Sequence, residues 1–112
     1  MNENSLNNIL QERRGKARTV CHYPAIVQGH DPLGEKYEET GEVANLSATG
    51  LYMILKRSFE LGEKIFVTVQ LNNSIKKEEL SQLATTGIVT RIEPQPDEVC
   101  GIAIQFQSYR FL

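Results

Sequence analysis

Two short runs hold the side chains of this chain best suited to recognition chemistry. The first, ERRGKAR at residues 12–18, sets Arg14 and Arg18 four positions apart and adds Arg13 and Lys16 beside them. A guanidinium is a planar fork of donors: it grips phosphate oxygens or the acceptor edge of a purine in pairs, and its flat face stacks on the ring. The second, NLSATG at residues 45–50, carries Asn45, Ser47 and Gly50 in an Asn-x-Ser-x-x-Gly spacing. Asn and Ser offer short donors and acceptors to a neighbouring backbone or to a ligand, and Gly allows a positive φ or a close backbone approach. Taken alone, the basic run reads as a solvated stretch and NLSATG as a turn. Together, in this order and 27 residues apart from Arg18 to Asn45, they are much more specific than either alone.

Other chemistries find little support. His22 and His30 are the only histidines, with no ligand spacing around them that would hold a metal. No Gly-rich phosphate loop is present and Ser47 has no paired base in the sequence, so neither catalysis nor a resident cofactor is expected. Cys21 and Cys100 lie far apart without a Cys-x-x-Cys spacing and read as small buried hydrophobes. Tyr23, Tyr37, Tyr52 and Phe66 are candidate stacking surfaces, although aromatics on strands more commonly pack. The net charge of −2 argues against a protein that holds long nucleic acid by neutralising phosphates. Four of the twelve basic residues fall in the ERRGKAR run, while Glu35, Glu38, Glu39 and Glu42 follow close behind. A local cationic arm on a mildly acidic body suits a small anionic ligand better than a polymer.

The elements that must position these runs are strands. Residues 1–11 carry only Leu6, Ile9 and Leu10 as apolar anchors and read as a flexible tail before a domain at 12–112. From Thr19 the apolar period is two, with Cys21, Tyr23, Ala25 and Val27 alternating up to the turn GHDPLG. A second strand is predicted over Tyr37–Leu46, with Gly41 at a bulge or close approach, and a third, buried one over the five consecutive apolar residues Leu51–Leu55. The clearest is KIFVTVQL at 64–71, where Ile65, Val67, Val69 and Leu71 share one face. Residues 75–83 fit either a helical turn or a long hairpin connection, and two further strands are predicted at 84–93 and 99–106, joined by PQPDE. Six strands at short spacing without a long amphipathic helix indicate a closed or nearly closed antiparallel barrel.

The Arg-x-x-x-Arg and Asn-x-Ser-x-x-Gly pair, with GIVTR at 87–91 and GIAIQF at 101–106 as a less specific core pattern, resembles the PilZ domain family. That resemblance implies a six-stranded antiparallel β-barrel and a receptor for the bacterial second messenger cyclic di-GMP. The family's helix after the last strand has little or no counterpart here, since only QSYRFL follows Phe106. Carried over by motif, the residues implied in binding are Arg14, Arg18, Asn45, Ser47 and Gly50; Arg13 joins them on charge and proximity. Asn45 stands where the family frequently has Asp, which trades a carboxylate for one acceptor, two donors and no charge.

The expected function is therefore a receptor that orders its arginine arm on binding and signals to an effector protein in control of motility, adhesion or exopolysaccharide. The alternative is a protein-interaction module with the same barrel and no use for the nucleotide, for which Phe111 and Leu112 offer a docking point; a small barrel for single-stranded nucleic acid comes third. No apolar run reaches the roughly 20 residues a membrane helix needs, and residues 1–11 lack the pattern of a secretory signal, so a cytoplasmic protein is expected.

Overall fold

The computed structural model describes residues 20–72 and 80–112. Its elements are six strands: β1 (Val20–His30), β2 (Lys36–Leu46), β3 (Gly50–Leu55), β4 (Lys64–Asn72), β5 (Leu80–Pro94) and β6 (Cys100–Phe111). They close into an all-antiparallel barrel in the order β1-β2-β3-β6-β5-β4, as the strand pattern predicted. Closure is what removes exposed sheet edges from so small a molecule.

Alternation explains which residues fill the barrel. Val27, Val43, Met53, Ile65, Val67, Val69, Leu83 and Ile102 are wholly excluded from solvent, and they come from all six strands. Each such burial contributes about 1.5–3 kcal/mol relative to exposure. The predicted face of β4 is confirmed: Ile65, Val67, Val69 and Leu71 point into the core. Thr85 is the one buried polar residue of the described core, and its hydroxyl donates to the Val67 carbonyl at 3.1 Å. Gly41 marks a close approach, since a Cβ there would meet the Ile54 carbonyl oxygen and the Met53 methyl at 2.8 Å.

Several expectations shift. β5 and β6 are longer than predicted, at 15 and 12 residues, because Leu80–Leu83 pairs with the end of β4 and QSYRF continues β6 against β5. Residues 80–83 of the ambiguous 75–83 segment are therefore strand, and 73–79 lie outside the described residues. Cys100 is half-buried rather than buried, with its thiol pushed up in pKa by partial desolvation. β3 is not buried on both faces: Leu51, Met53 and Leu55 enter the core, and Tyr52 and Ile54 are half-exposed outside.

The barrel has two poles. One gathers the start of β1, the β2–β3 turn, the end of β4, the start of β5 and the end of β6. The other gathers the β1–β2, β3–β4 and β5–β6 loops.

Candidate functional site

Asn45 reaches its position through a break in alternation. Strict period two along β2 would turn it inward with Val43. Instead Val43 pairs with Met53 and Asn45 with Tyr52, leaving Ala44 as an extra residue. Such a bulge re-aims everything beyond it by one face. Leu46 thus enters the core opposite Leu51, and Asn45 goes to the outer face opposite Tyr52. There its side-chain Oδ1 is enclosed yet has no hydrogen-bond partner among the described residues. A buried acceptor left unsatisfied costs about 1–3 kcal/mol.

Ser47 and Gly50 build the turn that follows. The Ser47 amide donates to the Gly50 carbonyl at 2.9 Å, and the Ser47 Oγ accepts from the amides of Thr49 and Gly50 at 3.3 and 3.2 Å. The hydroxyl also lies 3.2 Å from the Gly50 carbonyl and 3.4 Å from the Thr49 hydroxyl. Ser47 itself is exposed, so its oxygen organises the turn while remaining open to the outside. Gly50 opens β3 against β6, where a Cβ would overlap the Ile104 carbonyl oxygen. Close approach to a neighbouring strand, not a positive φ, is what requires glycine here. The Phe106 amide then donates to the Thr49 carbonyl at 2.8 Å and ties the turn to β6.

Arg13, Arg14 and Arg18 lie outside the described residues. Their point of attachment does not: β1 begins at Val20, which pairs with Asn45. Val20 follows Arg18 by two positions, which allows at most about 7 Å of fully extended chain between them.

The aromatic residues named from sequence take other roles. Tyr23 is core. Tyr37 lies at the opposite pole, its hydroxyl donating to Glu63 at 2.7 Å, and Phe66 is exposed on the outer face of β4. Tyr52 sits opposite Asn45 in register, but its hydroxyl donates to Glu93 Oε1 at 2.7 Å, toward the far pole. Partial burial and the Glu93 carboxylate raise its pKa.

The aromatics that do flank the turn are Phe106 and Tyr109, with ring centroids 5.7 Å apart and planes tilted by 52°. They line an open cleft of about 480 Å³ between Ala48 and Thr49 on one side and Gln105–Tyr109 on the other. Sequence reading ended the strand at Phe106 and missed this. The available signal was the alternation of Tyr109 and Phe111, one residue out of phase with Ile102, Ile104 and Phe106.

Among the described residues there is no group of His, Cys, Asp and Glu able to hold a metal ion, and no helix long and apolar enough to cross a membrane.

Comparison with known proteins bears on the fold and the family. The structure of the Bacillus subtilis inhibitor of motility, MotI/DgrA, superimposes with a TM-score of 0.66 at 23% identity, covering 83% of this chain and 42% of that one. The chain thus spans less than half the length of that protein, and the likeness is one of fold. No curated protein matches the sequence. The model of the PilZ domain matches residues 12–110, a stretch that takes in both motifs and all but the final residues of the barrel, so the chain belongs to the PilZ domain family.

Proposed function

We propose that this domain is a receptor for cyclic di-GMP, held between Arg14 and Arg18, with Arg13 beside them, and the rim formed by Asn45, Ser47 and Gly50. The observation that carries the reading is the enclosed Asn45 Oδ1 without a donor among the described residues, placed on the outer face beside the residue where the arginine arm joins β1. A guanine presents N–H donors and a guanidinium presents five, and either satisfies that oxygen. The arginines supply the charge that two phosphodiesters require, and the described rim supplies none. Family membership supports the same ligand class.

On this reading occupancy orders the arm, because its cations repel one another until phosphate neutralises them, and the ordered arm presents a new surface to an effector protein. Control of motility is one output in keeping with the fold shared with the inhibitor of motility. The domain acts by binding rather than by catalysis.

Calorimetric titration with cyclic di-GMP, beside an Arg14→Ala, Arg18→Ala variant and a GMP control, tests the reading. Saturable binding that the variant loses and GMP does not reproduce supports it. Absence of heat and of thermal stabilisation at ligand far above micromolar overturns it and favours the protein-interaction module. Hydrogen exchange adds the arm: ligand is expected to protect amides 12–20, and unchanged exchange there removes the switch while leaving the receptor.

A further inference from the structure

The end of β6 is built by a second bulge. Thr86 pairs with Ser108 and Gly87 with Phe106, so Gln107 is an extra residue with no opposite number on β5. Without it, alternation from Ile104 and Phe106 would turn Ser108 and Arg110 inward. With it, Tyr109 and Phe111 face the core side with Phe106, and Gln107 and Ser108 are both exposed. Bulges of this kind commonly re-aim side chains next to binding sites.

The bulge sits beside the candidate rim. Gly50 pairs with Gln105, and the pairing of β3 with β6 stops there. The outer face therefore runs from Asn45 and Tyr52 across Gly50 to Gln105, and on to Gln107 at the cleft. At about 480 Å³ the cleft falls within the range of about 300–1,000 Å³ usual for small-molecule sites. None of its described lining side chains carries a charge at neutral pH. A phosphate placed there would lose its water without gaining a cation. A flat, neutral, hydrogen-bonding ring suits it: aromatic surface from Phe106 and Tyr109 for stacking, and amides from Gln105 and Gln107 that both donate and accept.

We propose that this cleft is a base subsite, receiving one purine ring of a cyclic dinucleotide against Tyr109 while the Gln107 side-chain amide reads the edge of that ring. The inference rests on the receptor reading above and extends it: the phosphates go to the arm, one base to the rim at Asn45, and the other to the β6 bulge. Base identity is then sensed by an uncharged pair of residues outside both sequence motifs.

Titration of Gln107→Ala and Tyr109→Leu with cyclic di-GMP and cyclic di-AMP, alongside the wild type and the Arg14→Ala, Arg18→Ala variant, tests this. Gln107→Ala is expected to weaken cyclic di-GMP binding about tenfold and to narrow the preference over cyclic di-AMP, and Tyr109→Leu to weaken both about tenfold or more. Gln107 is exposed, so its variant keeps the fold and decides the matter even where Tyr109→Leu is destabilised. In the wild type, the Gln107 side-chain NH2 resonances are expected to shift on adding cyclic di-GMP. Wild-type affinity in Gln107→Ala with unmoved Gln107 resonances overturns the subsite and leaves the receptor standing, provided the arginine variant fails to bind. A wild type that binds neither dinucleotide removes both.

Discussion

The two poles of the barrel are closed by different means. At the pole opposite the motif, loops are held by their own side chains. Asp31 Oδ1 accepts from the amides of Leu33 and Glu35, both at 2.9 Å, and fixes the β1–β2 turn. Glu63 accepts from the Tyr37 hydroxyl at 2.7 Å and from the Glu60 amide at 3.1 Å. Arg57 lays its guanidinium 3.6 Å from the centre of the Tyr37 ring, and its Nε, although enclosed and without a hydrogen-bond partner, belongs to a charge held by that stacking. Phe59 packs edge-on against the same tyrosine, with centroids 6.2 Å apart. At the motif pole Ser47 holds the short turn, the Gln82 amide donates to the Gln70 side-chain oxygen at 3.0 Å between β4 and β5, and the Asn45 Oδ1 meets no donor among the described residues. One pole is finished largely by its own side chains; the other keeps an enclosed acceptor, Asn45 Oδ1, without a donor among the described residues. Polar groups that satisfy each other stabilise, and an enclosed group without a partner beside an open surface is a candidate for recognition.

That contrast is broken or sharpened by four substitutions, taken from the largest expected effect to the smallest. Phe59→Ala removes the buried ring that closes the finished pole and is expected to cost about 3–5 kcal/mol of stability in urea unfolding. Ligand affinity of the molecules that stay folded is expected to be unchanged; a parallel loss of affinity would show that the poles are coupled.

Asn45→Ala has the opposite signature. Removing an unsatisfied acceptor is expected to leave stability unchanged or raise it by about 1 kcal/mol, while cyclic di-GMP binding falls. A destabilised variant would mean that Asn45 is structural and the contrast between the poles mistaken.

Tyr37→Phe tests the finished pole through pH. Burial first, then the hydrogen bond and negative charge of Glu63, hold the Tyr37 hydroxyl well above its ordinary pKa. The unfolded chain releases this proton near pH 10 while the folded one retains it, so its contribution is complete below about pH 10 and is lost as the pH rises from there through the folded pKa. The wild type is expected to lose stability in that alkaline window and Tyr37→Phe to lose less of it. Identical alkaline profiles would remove Tyr37 from the account. At neutral pH the same variant is expected to forfeit about 1 kcal/mol for the hydrogen bond.

Glu98→Gly is the smallest. Asp97 and Glu98 turn the β5–β6 hairpin with φ of 63° and 60°, a conformation natural to Asn-Gly and unfavourable for other side chains. Glycine at 98 is expected to stabilise by a few tenths up to about 1 kcal/mol, with binding at the far pole untouched, as thermal melts and titration would show.

Particular elements show why some of this was legible. β4 could be read outright, because Ile65, Val67, Val69 and Leu71 alternate without interruption and the pairing is regular on the β5 side. Gly50 and Ser47 were legible as a turn and a glycine requirement, but the reason for the glycine, the carbonyl of Ile104 on a strand 54 positions later, was not. Asn45 was found by its motif, whereas its outward facing came from an inserted Ala44 that alternation alone would misplace. Gln107 and Tyr109 were missed for the same reason: a bulge shifts the phase by one residue, and the pattern then looks like the end of a strand.

The sequence by itself determined the number of strands, the buried face of β4, the turn at 45–50 and the family, because these depend on local alternation and on short spacings within the chain. Only the tertiary structure decided what meets across the barrel mouth. It placed the root of the arginine arm against Asn45, set the β6 bulge beside the turn, and put the loops tied by Asp31, Tyr37 and Glu63 at the opposite pole. Those relations come from barrel closure and from the register between strands distant in the chain, and a single residue of bulge is enough to change them.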